Sequence, residues 1–460
     1  MKNSSKINHL FKKKFFENLK KNKKNYFSDG TLKVFYKDIN KRLFSLEDFL
    51  KKKKIRNKKI LAVIYNQTGI NFWINFLISY MLGMTVMPLE KNNKNFKKVE
   101  KYFDVVILFN GFQYEIIRNL SKKKNRIMMI TEYISSTSGS TGSPKMILHK
   151  FDSIIKNSIA TSNRIKLKKN KNFLIAIPNF YHSAVCHFFT CLVKNINFYS
   201  FEGFMYPKNL NKLLNKYKIN YFGGAPIQAE WILGSNQKKI SLKKIISSGD
   251  FLKESVIKFY LKKKKKFYLY NIYGITEVGG RVFINDIKNS NNPFSLGKPL
   301  EHFKIIQKKI SKKIFEVGIQ SKFNFLGYYS DRLTQTNKIK NTYLTNDLAF
   351  KQNGQFKLQG RKNEIFKSSG IKIFPEYIKN EILKIKSISN AFVFSKHFDL
   401  TGNAPVAAYE SKKKLDEYFI INQLSKTLEK KQIPIKYKYY IKFPYLKNKK
   451  INKIKIKNEM

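Results

Sequence analysis

Apolar residues in this chain fall into short β-branched runs, separated by longer stretches in which they recur every three or four positions. The runs Lys59–Tyr65, Val105–Phe109, Ile127–Thr131, Asn172–Pro178, Asn220–Gly223, Lys244–Ser247 and Phe267–Tyr270 read as strands. Between several of them, Ser153–Asn163, Asn209–Tyr217 and Lys253–Lys263 are amphipathic at the helical period. Strand–helix alternation predicts an α/β protein with mostly parallel sheets flanked by helices. The most apolar stretch, Phe72–Pro88, contains Asn75, Ser79 and Thr85 and falls short of the ~20 residues a membrane span needs. It predicts a buried helix over Asn71–Leu82 and a short strand through Thr85–Pro88. Beyond about Gly327 the pattern changes to turn-punctuated strands around Leu344, Phe356 and Ile373. A helix over Pro375–Lys386 and a short α+β tail follow, with a boundary near Gly360–Asn363.

Composition supports a large core and changes the reading of the charge. Of 460 residues 42% are hydrophobic, which excludes disorder for the bulk of the chain. Two cysteines exclude a disulfide scaffold. Lys+Arg 91 against Asp+Glu 30 gives a net charge of +61, which invites a nucleic-acid reading. Only 8 of the 91 basic residues are Arg, and Gly and Pro are scarce while Asn, Ile and Phe are abundant. That is the signature of drift toward A/T-rich codons. The Lys runs at 12–14, 51–54, 122–124 and 262–266 are spread along the chain, whereas a nucleic-acid binder clusters its charge on one face. No specific nucleic acid is expected. Met1–Lys24 is polar and lacks an apolar core of roughly 7–15 residues, so a secretory signal is not expected and a cytoplasmic setting is.

Glycine is informative because it is rare. Of 21, 13 fall in short segments at 139, 142, 223, 224, 249, 274, 279, 280, 297, 327, 354, 360 and 370. Ser136–Lys145 reads STSGSTGSPK and lies between apolar runs, as a turn between strands would. Its backbone N–H groups, the hydroxyls of Ser138, Ser140 and Thr141, and the charge of Lys145 suit a polyphosphate, with Gly139 and Gly142 letting the backbone close in. It lacks the GxxxxGK[ST] spacing of a Walker loop. A flexible Ser/Gly linker is the other reading, and Pro-Lys between hydrophobic strands argues against it.

These residues resemble the phosphate loop of the adenylate-forming enzymes: acyl- and aryl-CoA ligases, adenylation domains of peptide synthetases, and luciferases. Further segments match in the family's order. Ile246–Leu252 (ISSGDFL) resembles the segment that packs on adenine, and Asn271–Gly280 (NIYGITEVGG) resembles the Tyr-Gly-x-Thr-Glu motif. Ser295–Leu300, Gly327–Tyr328, Thr345–Asp347 (TND) and Gly360–Pro375 (GRKNEIFKSSGIKIFP) resemble later landmarks. The resemblance runs from about residue 59 to the C-terminus. It implies a large N-terminal domain, residues 1–362, and a small mobile α+β C-terminal domain, 363–460, hinged at Asn363.

The resemblance also implies roles. Ser138–Gly142 with Lys145 would hold phosphates. Ser248, Gly249 and Asp250 would line the adenine, on which Tyr273 would stack beyond the sharp turn at Gly274. Thr276 would bond a phosphate. Glu277, with Thr141, would hold Mg²⁺, since a carboxylate is a hard oxygen ligand. Asp347 would accept the ribose hydroxyls and Arg361 would act on the nucleotide; a turn Asp and a structural salt bridge are the alternatives. His182, in PNFYHS, would line the acyl pocket or gate the carboxylate, or else be a satisfied core histidine. Pocket residues would come from Phe180–His187, Tyr221–Ala225, Ile272–Tyr273 and Val278–Arg281, which suits an apolar or aromatic acid, fatty acids included. Cys186 and Cys191 read as buried thiols. Gly370 and Lys372 lie in the loop that would admit a pantetheine arm. In the tail, FPYLKNKKINK aligned on Pro444 puts Lys450 at the catalytic Lys, with Leu446 at the family's Thr and Lys449 at its Gly. Asn346 replaces a Gly, Asn363 an acidic hinge residue, and Met146 a frequent Gly.

The expectation is therefore an ATP- and Mg²⁺-dependent ligase that joins a carboxylic acid to the thiol of CoA through an acyl-adenylate. The alternatives are a ligase that loads a carrier-protein pantetheine, and a degenerate or basic nucleic-acid-binding relative.

Overall fold

The structure is a computed structural model. It describes residues 2–460 apart from 56–57, 66–68, 112, 120–122, 124, 138–144, 202–206, 236–240, 251, 264–265, 312, 330–337, 340, 369–370, 400–401 and 447–450. The chain forms two compact units, Met1–Ile306 with Ile319–Tyr343, and Gln307–Gly318 with Leu344–Met460.

The first unit contains two large mixed sheets. In the nine-stranded sheet, Tyr268–Tyr273, Lys244–Ser248, Tyr221–Gly224, Asn172–Ile175, Asn197–Ser200 and Tyr26–Ser28 run parallel in that spatial order. Antiparallel strands close both edges. In the seven-stranded sheet, Tyr133–Thr137, Thr85–Leu89, Ile60–Tyr65 and Val105–Asn110 are parallel, and Lys145–His149 folds back antiparallel on Tyr133–Thr137. The near-continuous apolar runs seen in the sequence are what strands covered on both faces require.

The helix Asn71–Met81 is buried through Phe72, Trp73, Phe76 and Tyr80, as its composition predicts. It interlocks with the helix His182–Lys194: Trp73 stacks on Phe188 at 4.5 Å between centroids and Tyr80 meets Phe189 edge-on at 5.2 Å. The expected strand Ile127–Thr131 is instead the short helix Arg126–Ile130. Asn125 decides this locally, because its side chain accepts from Ile127 N and Met128 N and so caps a helical turn. The Lys-rich N-terminus forms a helix, Lys2–Lys21, that the sequence reading did not foresee. Its Asn8 accepts from the buried Tyr80 hydroxyl at 2.6 Å and donates its backbone N–H to Asp152.

The second unit is α+β. Its hairpin Thr342–Gln352/Gln355–Arg361 turns on Asn353 (φ 50°) and Gly354 (φ 76°), the Asn-Gly pair that a two-residue turn with both φ positive favours. A 3₁₀ turn over Lys362–Glu364 leads to a small hairpin, Phe366–Ser368/Ile371–Ile373. The long antiparallel pair Ile388–Phe398/Gly402–Ser411 follows, with Tyr437–Tyr440 added parallel. Ile378 and Ile382 of the helix Pro375–Ile382 and Ile420 and Leu424 of Glu417–Ser425 pack with Val393, Ala407 and Tyr409 of this sheet. Phe443 and Ile456 pack with Phe392, Phe394, Val406 and Ala408 in a separate cluster.

Candidate active site

Two glycine-bearing motifs of the first unit lie at the carboxyl ends of neighbouring parallel strands, where open α/β sheets bind ligands. Strand Lys244–Ser248 ends at Ser248, Gly249 (φ 95°) and Asp250, next to Tyr268–Tyr273, with Ser248 in register with Ile272. Beyond Tyr273 the chain doubles back. Gly280 N donates to Ile275 O at 3.0 Å and Val282 N to Tyr273 O at 2.8 Å. A Cβ on Gly274 would stand 1.9 Å from Gly280 O, so the loop closes only because that residue has no side chain. Buried Asn157 anchors it from outside, donating to Val278 O and to Arg281 O.

The loop carries Thr276 and Glu277 on a 3₁₀ turn, Thr276–Val278. Phe325 N donates to Glu277 O at 2.8 Å, and the Tyr328 hydroxyl donates to Glu277 Oε1 at 2.6 Å. Tyr328 also meets the Tyr343 hydroxyl at 3.0 Å. Burial, and after it the neighbouring Glu277 carboxylate, raise the Tyr328 phenol above its usual range, so it stays a donor. Strand Gly327–Tyr328 pairs with Lys145–His149, and Lys145 Nζ lies 5.5 Å from the Tyr328 ring. One tyrosine thus brings together Lys145 and Glu277. The sequence marked Tyr328 as a landmark without giving it a role; the Gly-Tyr pair was the signal available. Ser138, Gly139, Ser140, Thr141 and Gly142 lie outside the described residues, between the paired strand ends Thr137 and Lys145.

Behind the loop stands a wall of imidazoles. His182 opens the helix His182–Lys194, is buried, and stacks on His149 at 5.2 Å and on Tyr133 at 5.7 Å. Burial lowers it to about 4, against a smaller raising effect of the Gly279 backbone, so it is neutral near pH 7. His149 Nε2 pairs with Ser135 Oγ at 3.0 Å. The thiol of Cys186 donates to Gly279 O at 3.4 Å and is pushed up by burial to about 11; both cysteines are buried and reduced. A Cβ on Gly280 would meet Cys186 Sγ at 2.6 Å, so this wall and the loop are in close contact.

In the second unit Asp347 faces Arg361 across the hairpin, with Arg361 Nε 3.0 Å from Asp347 Oδ1. The turn before Asp347 is fixed on several sides. Thr345 Oγ1 donates to Val317 O and accepts from Asp347 N. Asn346 N donates to Glu316 Oε1, whose other oxygen takes Lys362 Nζ at 3.0 Å. Asn346 has φ 61°, which explains why glycine is the family residue there and why Asn can stand in for it. Asn363 lies in the 3₁₀ turn Lys362–Glu364, and Lys372 is exposed on its hairpin opposite Lys367. Gly370 and Lys450 lie outside the described residues; Tyr445 and Ile451, either side of Lys450, form an antiparallel bridge.

A carboxylate and a hydroxyl on one turn fit a hard cation that keeps most of its coordination for water and phosphate oxygens. This is the arrangement of an α/β enzyme with its site at the strand ends. Residues 129–329 match the AMP-binding enzyme family. A 2-succinylbenzoate–CoA ligase of Oceanobacillus iheyensis is 22% identical over 437 residues, spanning 89% of this chain and 90% of that protein. A D-alanine–D-alanyl carrier protein ligase of Staphylococcus epidermidis is 25% identical over 390 residues, 80% of this chain and 77% of that protein. O-succinylbenzoate coenzyme A synthetase of Bacillus subtilis, solved with its acyl-adenylate intermediate, has the same fold at a TM-score of 0.79 and 15% identity, covering 96% of this chain and 97% of that one. The same protein solved with ATP and magnesium ion gives a TM-score of 0.77 at 14% identity, covering 96% of this chain and 99% of that one. Over its length the chain therefore has the fold of these ligases, and the match to the AMP-binding enzyme family lies within it at residues 129–329. Among the described residues no helix is long and apolar enough to cross a membrane.

Proposed function

We propose that this protein is an ATP-dependent acid–CoA ligase, and that one observation carries the reading: the Thr276–Glu277 turn, fixed by Tyr328 beside the Lys145 end of the phosphate hairpin. The substrate carboxylate attacks the α-phosphorus of ATP, the bond to the β-phosphate breaks, and pyrophosphate leaves. A thiol then attacks the acyl carbonyl of the adenylate and AMP leaves. The protein's task in the first step is positioning and charge neutralisation.

Lys145 and the loop Ser138–Gly142, Thr141 included, hold the β- and γ-phosphates. Ser248, Gly249, Asp250 and Tyr273 cradle the adenine, Gly274 permits the turn, and Thr276 bonds a phosphate. Asp347 takes the ribose hydroxyls and Arg361 the phosphate side of the nucleotide. Glu277 and Thr141 would hold Mg²⁺, which would supply positive charge beside the leaving pyrophosphate. His182 enters as a neutral wall of the acid pocket. Lys450 neutralises the α-phosphate and the attacking carboxylate. Asn363 serves as the pivot that withdraws Lys450 and presents the Gly370–Lys372 loop to the pantetheine arm; Asn tolerates the backbone change nearly as well as Asp.

ATP–pyrophosphate exchange across a panel of carboxylic acids tests the first step. AMP release with CoA, against an acidic carrier protein as acceptor, tests the second. The carrier relative in Staphylococcus keeps that acceptor as the second reading. Binding of nucleic acid that weakens steeply with salt, without exchange on any acid, would replace both.

A further inference from the structure

The segment Phe180–His187, on which the proposed acid pocket draws, is gripped at both ends by one side chain. Trp73, fully buried on the helix Asn71–Met81, stacks at 4.5 Å between centroids on Phe188, the residue after the segment. Its indole Nε1–H donates to Ser200 Oγ at 3.0 Å, and Ser200 Oγ donates at 2.8 Å to Oδ1 of Asn179, the residue before the segment. Ser200 is 0% and Asn179 3% exposed, so water does not compete for these bonds. An indole N–H only donates, which leaves the Ser200 proton for Asn179 and sets that amide with its oxygen toward Ser200. Between the two grips lie Phe180 and Tyr181, partly exposed with their rings 4.7 Å apart, and the buried His182.

Stability alone does not call for this chain. Replacing both partners of a buried hydrogen bond by apolar groups of the same shape can be nearly neutral. What a fully bonded buried polar chain adds is one defined arrangement. Composition points the same way. Trp73 is one of 2 Trp in a chain that drifts toward A/T-rich codons, and the only Trp codon is G-rich. Phe, used 40 times here, would fill most of the same volume and keep the stack on Phe188, but it has no N–H to give. At position 73 the indole N–H has an acceptor to reach.

We propose that Trp73 is a positioning residue that sets acid specificity. Through Ser200 and Asn179 at one end and Phe188 at the other, it fixes the angle at which Phe180, Tyr181 and His182 face the acid. The inference rests on the ligase reading and extends it to a residue outside the pocket.

ATP–pyrophosphate exchange with the full-length protein, over straight-chain acids and over substituted benzoates, tests it. Discrimination is read as the kcat/KM of the preferred acid over that of its next larger homologue, and an apolar pocket sets such ratios at about 10–200-fold. Trp73→Phe keeps the ring stack and loses the N–H; Ser200→Ala breaks the chain. Each is expected to lower the ratio about tenfold through the KM for the acid, with the KM for ATP unchanged to within about twofold. The double variant should lose no more than either single one, because both cut the same chain. Both KM values are read on the same folded molecules, so partial unfolding of a variant leaves the comparison intact. A Trp73 that only stabilises the fold predicts a lower Tm with discrimination and both KM values unchanged, and that result overturns the proposal. So does an additive loss in the double variant, or a wild type that does not discriminate within either series. A wild type that exchanges with no acid overturns the ligase reading and this inference with it, whereas exchange with intact discrimination in Ser200→Ala overturns this inference alone.

Discussion

Two turns in this protein carry an acidic side chain one to three residues after a position where the resembled family has glycine, and the chain treats them differently. At Tyr273–Glu277 the glycine is kept. At Thr345–Asp347 it has become Asn346. Gly274 does not have positive φ; it is kept for space, because a Cβ would press on the backbone of Gly280 and Arg281. Asn346 has φ 61° and needs only tolerance of the left-handed region. Of the nine non-glycine residues with positive φ among the described residues, six are Asn and three are Lys. A chain drifting toward A/T-rich codons can therefore surrender glycine where φ alone matters, and retains it where backbone meets backbone. The two turns also differ in what backs them. The first leans on neutral buried groups, His182 and Cys186; the second is tied by ion pairs, Arg361 to Asp347 and Lys362 to Glu316.

The largest effect should come from Gly274→Ala. The obstructing atoms are backbone, so the loop must open, and overpacking of this kind costs about 3 kcal/mol or more. Exchange activity should vanish and the Tm should fall. A variant with wild-type Tm would show that the loop can relax and would dissolve the contrast with Asn346.

Acid should separate the two regions next. The folded pKa of His182 is lowered to about 4 by burial, and His149 and His187 are lowered by the same cause. As pH falls below about 6.5 the unfolded chain takes up these protons first, so stability present above that pH is lost as pH approaches 4. For His182 alone the loss is roughly 3 kcal/mol. Chemical denaturation from pH 7 to 4.5 should show the decline, and His182→Phe should flatten it. An unchanged slope in that variant would remove His182 from the account.

Glu277→Gln follows in size. Glutamine can still accept from Tyr328, so the fold holds, but the ligand proposed for the cation loses its charge. A fall of about 10²-fold in exchange is expected, as for other lost electrostatic contacts in active sites. Asp347→Asn should act on the apparent KM for ATP, with a smaller change in kcat. Magnesium titration separates the two: only the Glu277 variant should need more Mg²⁺. Tyr328→Phe comes below both. It removes a hydrogen bond to a charged group, worth about 1.5–3 kcal/mol where buried and less at this half-buried tyrosine. The expected loss is about tenfold in kcat, with a matching rise in the Mg²⁺ requirement that a merely structural tyrosine would not cause.

The contrast between the turns also explains what could be read from the sequence. Strands and helices of the first unit followed from unbroken apolar runs and helical periodicity, because burial on both faces leaves such a pattern. The exception, Arg126–Ile130, turned on a single capping Asn that a run of Ile and Met conceals. The helix Lys2–Lys21 was missed because its apolar residues are few and set among lysines and other polar residues; Phe15 and Leu19 are buried, and Asn8, which accepts from Tyr80, is buried with them. Site motifs were legible where glycine was kept, whether for space as at Gly274 or for positive φ as at Gly249. They faded where Asn or Lys could replace it, as at Asn346 and in the tail around Lys450. Tyr328 gained its meaning only from a long-range partner: Glu277 lies 51 residues away.

The smallest expected effect is the sharpest test of the comparison. If Asn346 is retained only because it accepts positive φ, Asn346→Gly should change stability by no more than about 0.5 kcal/mol, the relief of backbone strain being offset by the greater freedom of the unfolded chain. Its backbone N–H would still reach Glu316, and Asp347 would keep its place opposite Arg361. Exchange activity should stay within twofold. Asn346→Val should instead cost about 1–2 kcal/mol, the penalty of a β-branched side chain in the left-handed region, and should raise the KM for ATP by displacing Asp347. If glycine at 346 proved as damaging as valine, the Asn side chain would be making a contact of its own, and φ alone would no longer account for the exchange of glycine for asparagine at this turn.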